Sequence, residues 1–134
     1  MADAGYSGTP LVKKLGIKSG LTLALVGAPE GFERLLKGLP KDVRPVRGGT
    51  ATADLILWWP ASARDLASRI RTIEARMAAG GGLWIAWPKK ASGIVTDLNE
   101  NVIRDAGLAH GLVDYKVCAI DETFSGLKFA RRKA

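Results

Sequence analysis

Three apolar runs, separated by segments with helical spacing, narrow the possible folds of this sequence more than any other feature. The runs are LTLALV at 21–26, ADLILWWP at 53–60 and LWIAWP at 83–88. Runs that are apolar at nearly every position are typical of strands covered on both faces, as in a parallel sheet. Because helical patterns lie between them, the sequence predicts an α/β, Rossmann-like fold with a mainly parallel sheet and helices on both faces.

Helices are predicted in each interval between these strands. Apolar residues at helical spacing over 32–39 follow the first run. Ser62 and Asp65 form a capping pair before a second helix, whose apolar face extends to Met77. The pair Thr96-Asp97 predicts the start of a third helix after the last run.

Shorter elements complete the predicted domain. Residues 9–16 have the caps of a short helix, and 43–46 form an edge strand because Pro45 lacks a ladder donor. Two β-rich runs over about 115–131 predict a C-terminal antiparallel hairpin. The basic residues 131–134 are interpreted as a flexible tail.

Ligands of open α/β sheets bind outside the carboxyl ends of the strands. Three loops, at 27–31, 59–62 and 87–93, follow the buried strands and should therefore open on one edge of the sheet. The ligand-binding residues predicted from these loops and the following helix start are Gly27, Glu30, Trp59, Trp87, Lys89, Lys90, Ser92 and Thr96.

The loop after the third run has the composition of an anion site. Lys89 and Lys90 supply positive charge, while the Ser92 hydroxyl and the N–H groups of a helix starting near Asp97 can receive an oxyanion. The alternative is an exposed loop with good helix caps, since Asp97 itself complements the helix dipole.

The Trp-Pro pairs at two strand ends also leave two interpretations, because their indoles can stack on a flat ligand or close the top of the core.

Catalytic and metal-binding patterns are largely missing. His110 is the only histidine and is predicted on the opposite edge of the sheet, while Cys118 is predicted to be an inert, buried thiol. We therefore predict no metal site and no cofactor. The pair Asp121-Glu122 is a candidate general acid or base, with a simple polar turn as the alternative.

Composition favours anionic partners. The 134 residues carry a formal net charge of +7, which favours an anionic small molecule or a nucleic acid. One domain over 1–134 fits this length, and no apolar run reaches the roughly 20 residues of a membrane helix. The absence of a signal-peptide pattern and the single cysteine predict a cytoplasmic protein, whereas the oligomeric state stays open.

Several longer segments resemble a small bacterial family known as domain of unknown function 3052. They are AGYSGTPLVKKLGIKSG, WPKKASGIVTDLNENVIRDAGL and GLVDYKVCAIDETFSGLKFARR, which together span much of the chain. That family brings no established activity. More distantly, the order of leader helix, Gly-terminated strand, ADLILWW, GGGLWIAWP and closing hairpin is similar to the S-adenosylmethionine-dependent methyltransferase fold, which implies a truncated sheet of that type.

The methyltransferase resemblance also implies an acidic, glycine-rich loop after the first strand and an acid after the second. This sequence has VGAPEG at 26–31 and a basic neighbourhood around Arg44 and Arg47 instead. We therefore predict a non-catalytic domain that binds an anionic ligand, such as a nucleotide or another phosphorylated group. The alternatives are a divergent methyltransferase-like enzyme and a protein-interaction module.

Overall fold

The three apolar runs form the central strands of a six-stranded sheet in the computed structural model, which describes residues 9–133. The order across the sheet is β2-β1-β3-β4-β6-β5. Strands β1 to β4 run parallel to one another, and β5 and β6 form an antiparallel hairpin in which β6 pairs antiparallel with β4. This confirms the predicted α/β class. The strands are β1 (Leu23–Val26), β2 (Pro45–Arg47), β3 (Ala53–Trp58), β4 (Met77–Pro88), β5 (Leu112–Ala119) and β6 (Phe124–Arg131).

Among residues 9–133, three α-helices accompany the sheet: α1 (Leu11–Leu15), α2 (Ala63–Ala75) and α3 (Glu100–Ala109). The helix predicted at 32–39 is wrong, because only a single 3-10 turn forms, at Phe32–Leu35. Positive φ angles at Gly31 and Gly38 leave six residues between two left-handed positions. The backbone leaves the helical conformation at Leu36, whose ψ of 59° ends the turn.

The predicted extension of the second helix to Met77 is also wrong. α2 ends at Ala75, and Met77 already pairs with Ala53 as the first residue of β4. The glycines at 80–82 lie within this long strand. A Cβ atom on Gly81 would be 2.7 Å from the Asp54 carbonyl oxygen, so the close approach of β4 to β3 requires glycine here.

Alternating side chains of the strands pack into two core layers. One layer lies beneath α2 and α3 and contains Ile56, Trp58, Ile70, Ile103 and Phe129. The other lies beneath α1 and the 3-10 turn and contains Leu15, Phe32, Leu57, Trp84 and Ile120.

The C-terminal hairpin forms over slightly longer bounds than predicted. The predicted tail at 131–134 is wrong at its first residue, since Arg131 ends β6 and donates from Nε to Glu74 over 2.6 Å. Residue 134 lies outside the described residues. Within 9–133, no helix has both the length and the apolar character needed to cross a membrane, and the cytoplasmic location stays a prediction.

Candidate ligand site at the carboxyl edge of the sheet

Strand order reverses between β1 and β3, because the chain passes from β1 to β2 on one side and later enters β3 on the other. The edge where β1 to β4 end, called the carboxyl edge below, is where such sheets bind ligands. In this protein the loops after β1 and β3 are packed together. Trp59 N donates to Val26 O over 2.8 Å, and a Cβ atom on Gly27 would be 2.7 Å from Trp59 O. Gly27 is therefore required for close packing of the two loops.

The two predicted stacking residues lie on opposite faces of the sheet. Trp59 is 7% exposed and packs edge-on against Phe32 in the core layer beneath α1, with ring centroids 4.7 Å apart. Trp87 is 8% exposed and lies with Leu98 in the core layer beneath α2 and α3. The two indoles therefore do not line one crevice. Each indole closes the top of its own core layer, as the alternative interpretation held.

The predicted anion loop uses its hydroxyl groups internally. Ser92 Oγ donates to Lys89 O over 2.6 Å and accepts from Ile94 N, and Thr96 Oγ1 accepts from Leu98 N. Lys89 N donates to Thr123 O over 2.7 Å, which joins this loop to the hairpin turn. The structure therefore brings Lys89 and Ser92 together, but as partners in a turn.

The helix start predicted at Thr96-Asp97 is wrong. α3 begins at Glu100, and Asn99 caps it by accepting from Val102 N over 2.9 Å. Asp97 instead accepts from Ala63 N over 2.8 Å, at the N-terminus of α2. The free N–H groups that the predicted cradle needs are thus not at Thr96, and a carboxylate already occupies the nearer helix terminus.

Arg47, the last residue of β2, covers the loop after β1. Its guanidinium donates to the carbonyl oxygens of Ala28 and Pro29, both over 2.8 Å, and to both carboxylate oxygens of Glu33. This contact lowers the pKa of Glu33 to about 2. The pKa of Arg47 is raised, mainly by the Glu33 hydrogen bond and to a smaller extent by the charge of the exposed Glu30.

An open cleft lies beside this closed region, between α2 and the segment 48–52 that connects β2 to β3. Its volume is about 550 Å³. The connecting segment crosses the face of β1 in only five residues, so no helix covers the sheet at this point. Gly48 and Gly49 adopt φ angles of 69° and 74°, which L side chains rarely adopt. The cleft is lined by Val26, Gly48, Gly49, Thr50, Arg69, Thr72, Ile73, Ala75 and Arg76.

Two arginines of α2 and its C-cap shape the cleft. Arg76 is 8% exposed and donates to Ala51 O over 2.9 Å and to Gly48 O over 3.1 Å, which fastens the connecting segment. Arg69 is half-exposed, 3.5 Å from Asp65 and 6.0 Å from the centre of the Trp58 ring. Sequence reasoning missed this site, although the Gly-Gly-Thr run after the edge strand was a usable signal.

The other candidate groups have local structural roles. His110 Nδ1 lies 3.1 Å from Ala106 O, between α3 and β5. Asp121 accepts from Thr123 N and Phe124 N in the hairpin turn, as expected of the polar-turn alternative. Burial raises the pKa of the Cys118 thiol, which keeps it protonated and poorly nucleophilic.

Comparison with known proteins identifies the fold. No family model and no curated protein sequence matches the chain, so the resemblance to domain of unknown function 3052 stays a prediction. Among solved structures, ribosomal protein L11 methylase from Lactobacillus delbrueckii subsp. bulgaricus matches with a TM-score of 0.61 and 15% identity, covering 92% of this chain and 76% of that one. N-methyltransferase NodS from Bradyrhizobium japonicum WM9 matches with a TM-score of 0.61 and 14% identity, covering 92% and 93%. The pyocyanin biosynthetic protein PhzM matches with a TM-score of 0.68 and 12% identity, covering 90% of this chain but 53% of PhzM. The fold is therefore methyltransferase-like.

Proposed function

We propose that this protein is a divergent methyltransferase-like domain that binds a nucleotide or another phosphorylated small molecule in the cleft beside Gly48, Gly49 and Thr50. The observation that carries this proposal is the open cleft next to the switch point, where the connection between β2 and β3 is too short to cover the sheet. Its volume of about 550 Å³ lies within the range of small-molecule sites.

The donors around the cleft favour an anionic ligand. Arg69 contributes a half-exposed guanidinium whose ion pair with Asp65 is long at 3.5 Å. The N–H groups of Gly49 and Thr50 have no acceptor among residues 9–133, and the exposed Thr50 and Thr72 add hydroxyl groups. Charged and backbone donors that converge on one cleft are suited to phosphate oxygens. The net charge of +7 also favours the encounter with an anion.

S-adenosylmethionine, the cofactor that the resemblance suggests, does not fit the residues present at the switch point. A ribose needs a hydrogen-bond acceptor at the end of β2, and this chain has Arg47 there, bound to Ala28, Pro29 and Glu33. The close packing of Gly27 on Trp59 also leaves no gap between the loops after β1 and β3.

A methyltransferase-like transferase is the second candidate. The observation that favours it is the fold itself, because two of the similar structures are described as a methylase and an N-methyltransferase. The fold comparisons support this candidate better than they support a domain without catalysis. At 12–15% identity, however, similarity carries over the fold and not the reaction.

Titration calorimetry with AMP, ATP, inorganic phosphate, S-adenosylmethionine and S-adenosylhomocysteine tests both candidates. We expect a phosphorylated probe to bind and both S-adenosyl compounds to bind weakly. Arg69→Ala should weaken that binding by about tenfold or more, the usual loss when a charged donor is removed. Lys89→Ala combined with Lys90→Ala is the matched control, since it removes positive charge from the loop after β4.

Two other outcomes would contradict this proposal. If the Lys89 and Lys90 double variant lost phosphate binding and Arg69→Ala kept it, the cleft would be rejected and the predicted anion loop supported. A low-micromolar dissociation constant for S-adenosylmethionine would overturn the argument from Arg47 and support the transferase.

A further inference from the structure

We infer that the sheet face beside the C-terminal end of α1 binds single-stranded nucleic acid through Tyr115 and the lysines Lys18, Lys116 and Lys128, called the lysine–tyrosine surface below. This surface lies toward the edge where β1 to β4 begin, because β5 starts and β6 ends at that edge. The proposed ligand cleft is lined by α2 on the other face of the sheet, so this inference is independent of the proposed function.

Tyr115 is the exposed aromatic group of the surface. Its side chain is 57% exposed, and a register shift in β5 between Asp114 and Lys116 marks its position. Lys128 Nζ lies 5.6 Å from the centre of the Tyr115 ring and 5.7 Å from that of the fully buried Trp84. The Lys128 ammonium group thus makes a cation–π contact with the Tyr115 ring, which is also accessible to solvent.

The hydrogen-bond partners of Lys116 and Lys128 are neutral carbonyl groups at the end of α1. Lys116 Nζ donates to Lys14 O over 2.7 Å, and Lys128 Nζ lies 3.4 Å from Leu15 O. Burial, followed by the charge of Lys18, lowers the pKa of Lys128, as expected where like charges gather.

No carboxylate neutralises this group within the part of the chain that the structure describes. None of the ion pairs there includes Lys18, Lys116 or Lys128. Two acids close to these lysines have other partners: Asp42 accepts from Ser19, the residue after Lys18, and Asp114, two residues before Lys116, pairs with Arg104 of α3.

This combination fits single strands better than other polyanions. Lysines that lack a carboxylate partner attract phosphate groups, and their binding releases counterions from the nucleic acid. Any polyanion, including an acidic peptide, would be attracted by the same charge. An exposed ring gives additional affinity only to a partner with flat faces to stack, and the bases of single strands present such faces. In a duplex the same faces are already stacked, so Tyr115 would add little.

Fluorescence anisotropy with labelled oligo(dT) and oligo(U) tests the inference on the full chain. Tyr115→Ala should weaken binding by about 5- to 150-fold, the range for one stacked base, whereas Tyr115→Phe should bind nearly as well as the wild type. Lys18→Gln combined with Lys116→Gln should reduce the slope of log affinity against log salt by about 1.4, for two lost phosphate contacts. Thermal melting of each variant checks that it folds.

Lys89→Gln combined with Lys90→Gln is the matched control, because it makes the same change in net charge at the carboxyl edge. It should leave the affinity close to that of the wild type. Equal losses from the two double variants would overturn the inference in favour of diffuse attraction. Binding of a duplex or of poly-glutamate as tight as that of oligo(dT), with no effect of Tyr115→Ala, would likewise overturn it.

Discussion

Arg76→Met should destabilise the protein strongly, because a buried arginine fastens the segment that forms one wall of the proposed ligand cleft. The guanidinium donates to Ala51 O over 2.9 Å and to Gly48 O over 3.1 Å, and the residue is 8% exposed. Methionine retains the apolar part of the side chain and removes both donors. Hydrogen bonds from charged donors contribute about 1.5–3 kcal/mol each. The segment 48–52 is otherwise exposed, so its carbonyl oxygens can form hydrogen bonds to water once the guanidinium is removed. We therefore expect the free energy of unfolding to fall by about 3 kcal/mol, the lower end of the range for two such bonds.

Urea unfolding of the variant and the wild type measures this loss, and the melting temperature should fall by about 10 °C. Arg71→Met is the matched control, because Arg71 lies on the exposed side of the same helix. The control should change stability by less than about 0.5 kcal/mol. If Arg76→Met were no more destabilising than Arg71→Met, the two Arg76 hydrogen bonds would not fix the connecting segment as a wall of the cleft.

Two further predictions follow from other contacts. Glu33 has a pKa of about 2 in the folded protein against an ordinary 4.5, so its stabilising contribution is present above about pH 4.5 and is lost as the pH falls toward 2. Carboxyl NMR titration should show this value return toward 4.5 in Arg47→Met, and an unchanged value would refute the role of Arg47. Trp84→Phe should cost about 1 kcal/mol more than Trp58→Phe, because both indoles are fully buried but only the Trp84 N–H has an acceptor. Equal losses in urea unfolding would contradict that assignment.

The sheet could be predicted from the sequence because its signal is local. A strand buried on both faces must be apolar at nearly every position, and the runs that form β1, β3 and β4 meet this condition without reference to any distant residue. The edge position of β2 was likewise predictable from Pro45 alone. The comparisons confirm the fold that follows from this order of elements.

The candidate site was harder to predict, because its contacts join residues that are distant in sequence. Asp97 caps a helix that begins 34 residues earlier, and Arg47 holds carbonyl groups 18 and 19 residues away. Gly107 lies inside α3, which continues to Ala109, and glycine is required there because a Cβ atom would overlap the ring of Phe129. Short-range patterns identify caps and glycines, whereas the partner of each depends on the packed structure.

Chemical-shift mapping of the ¹⁵N-labelled protein during titration with ATP would test the proposed ligand site most directly. We predict that the largest amide shifts fall on Gly48, Gly49, Thr50 and Thr72, and that they are lost in Arg69→Ala. The Gly27 and Lys89 amides should move little, since the first lies in a closed loop junction and the second already donates to Thr123 O. Shifts centred on Gly27 or Lys89 instead, or no saturable shifts with any phosphorylated probe, would contradict the proposal that this methyltransferase-like fold binds its ligand in the cleft beside β2.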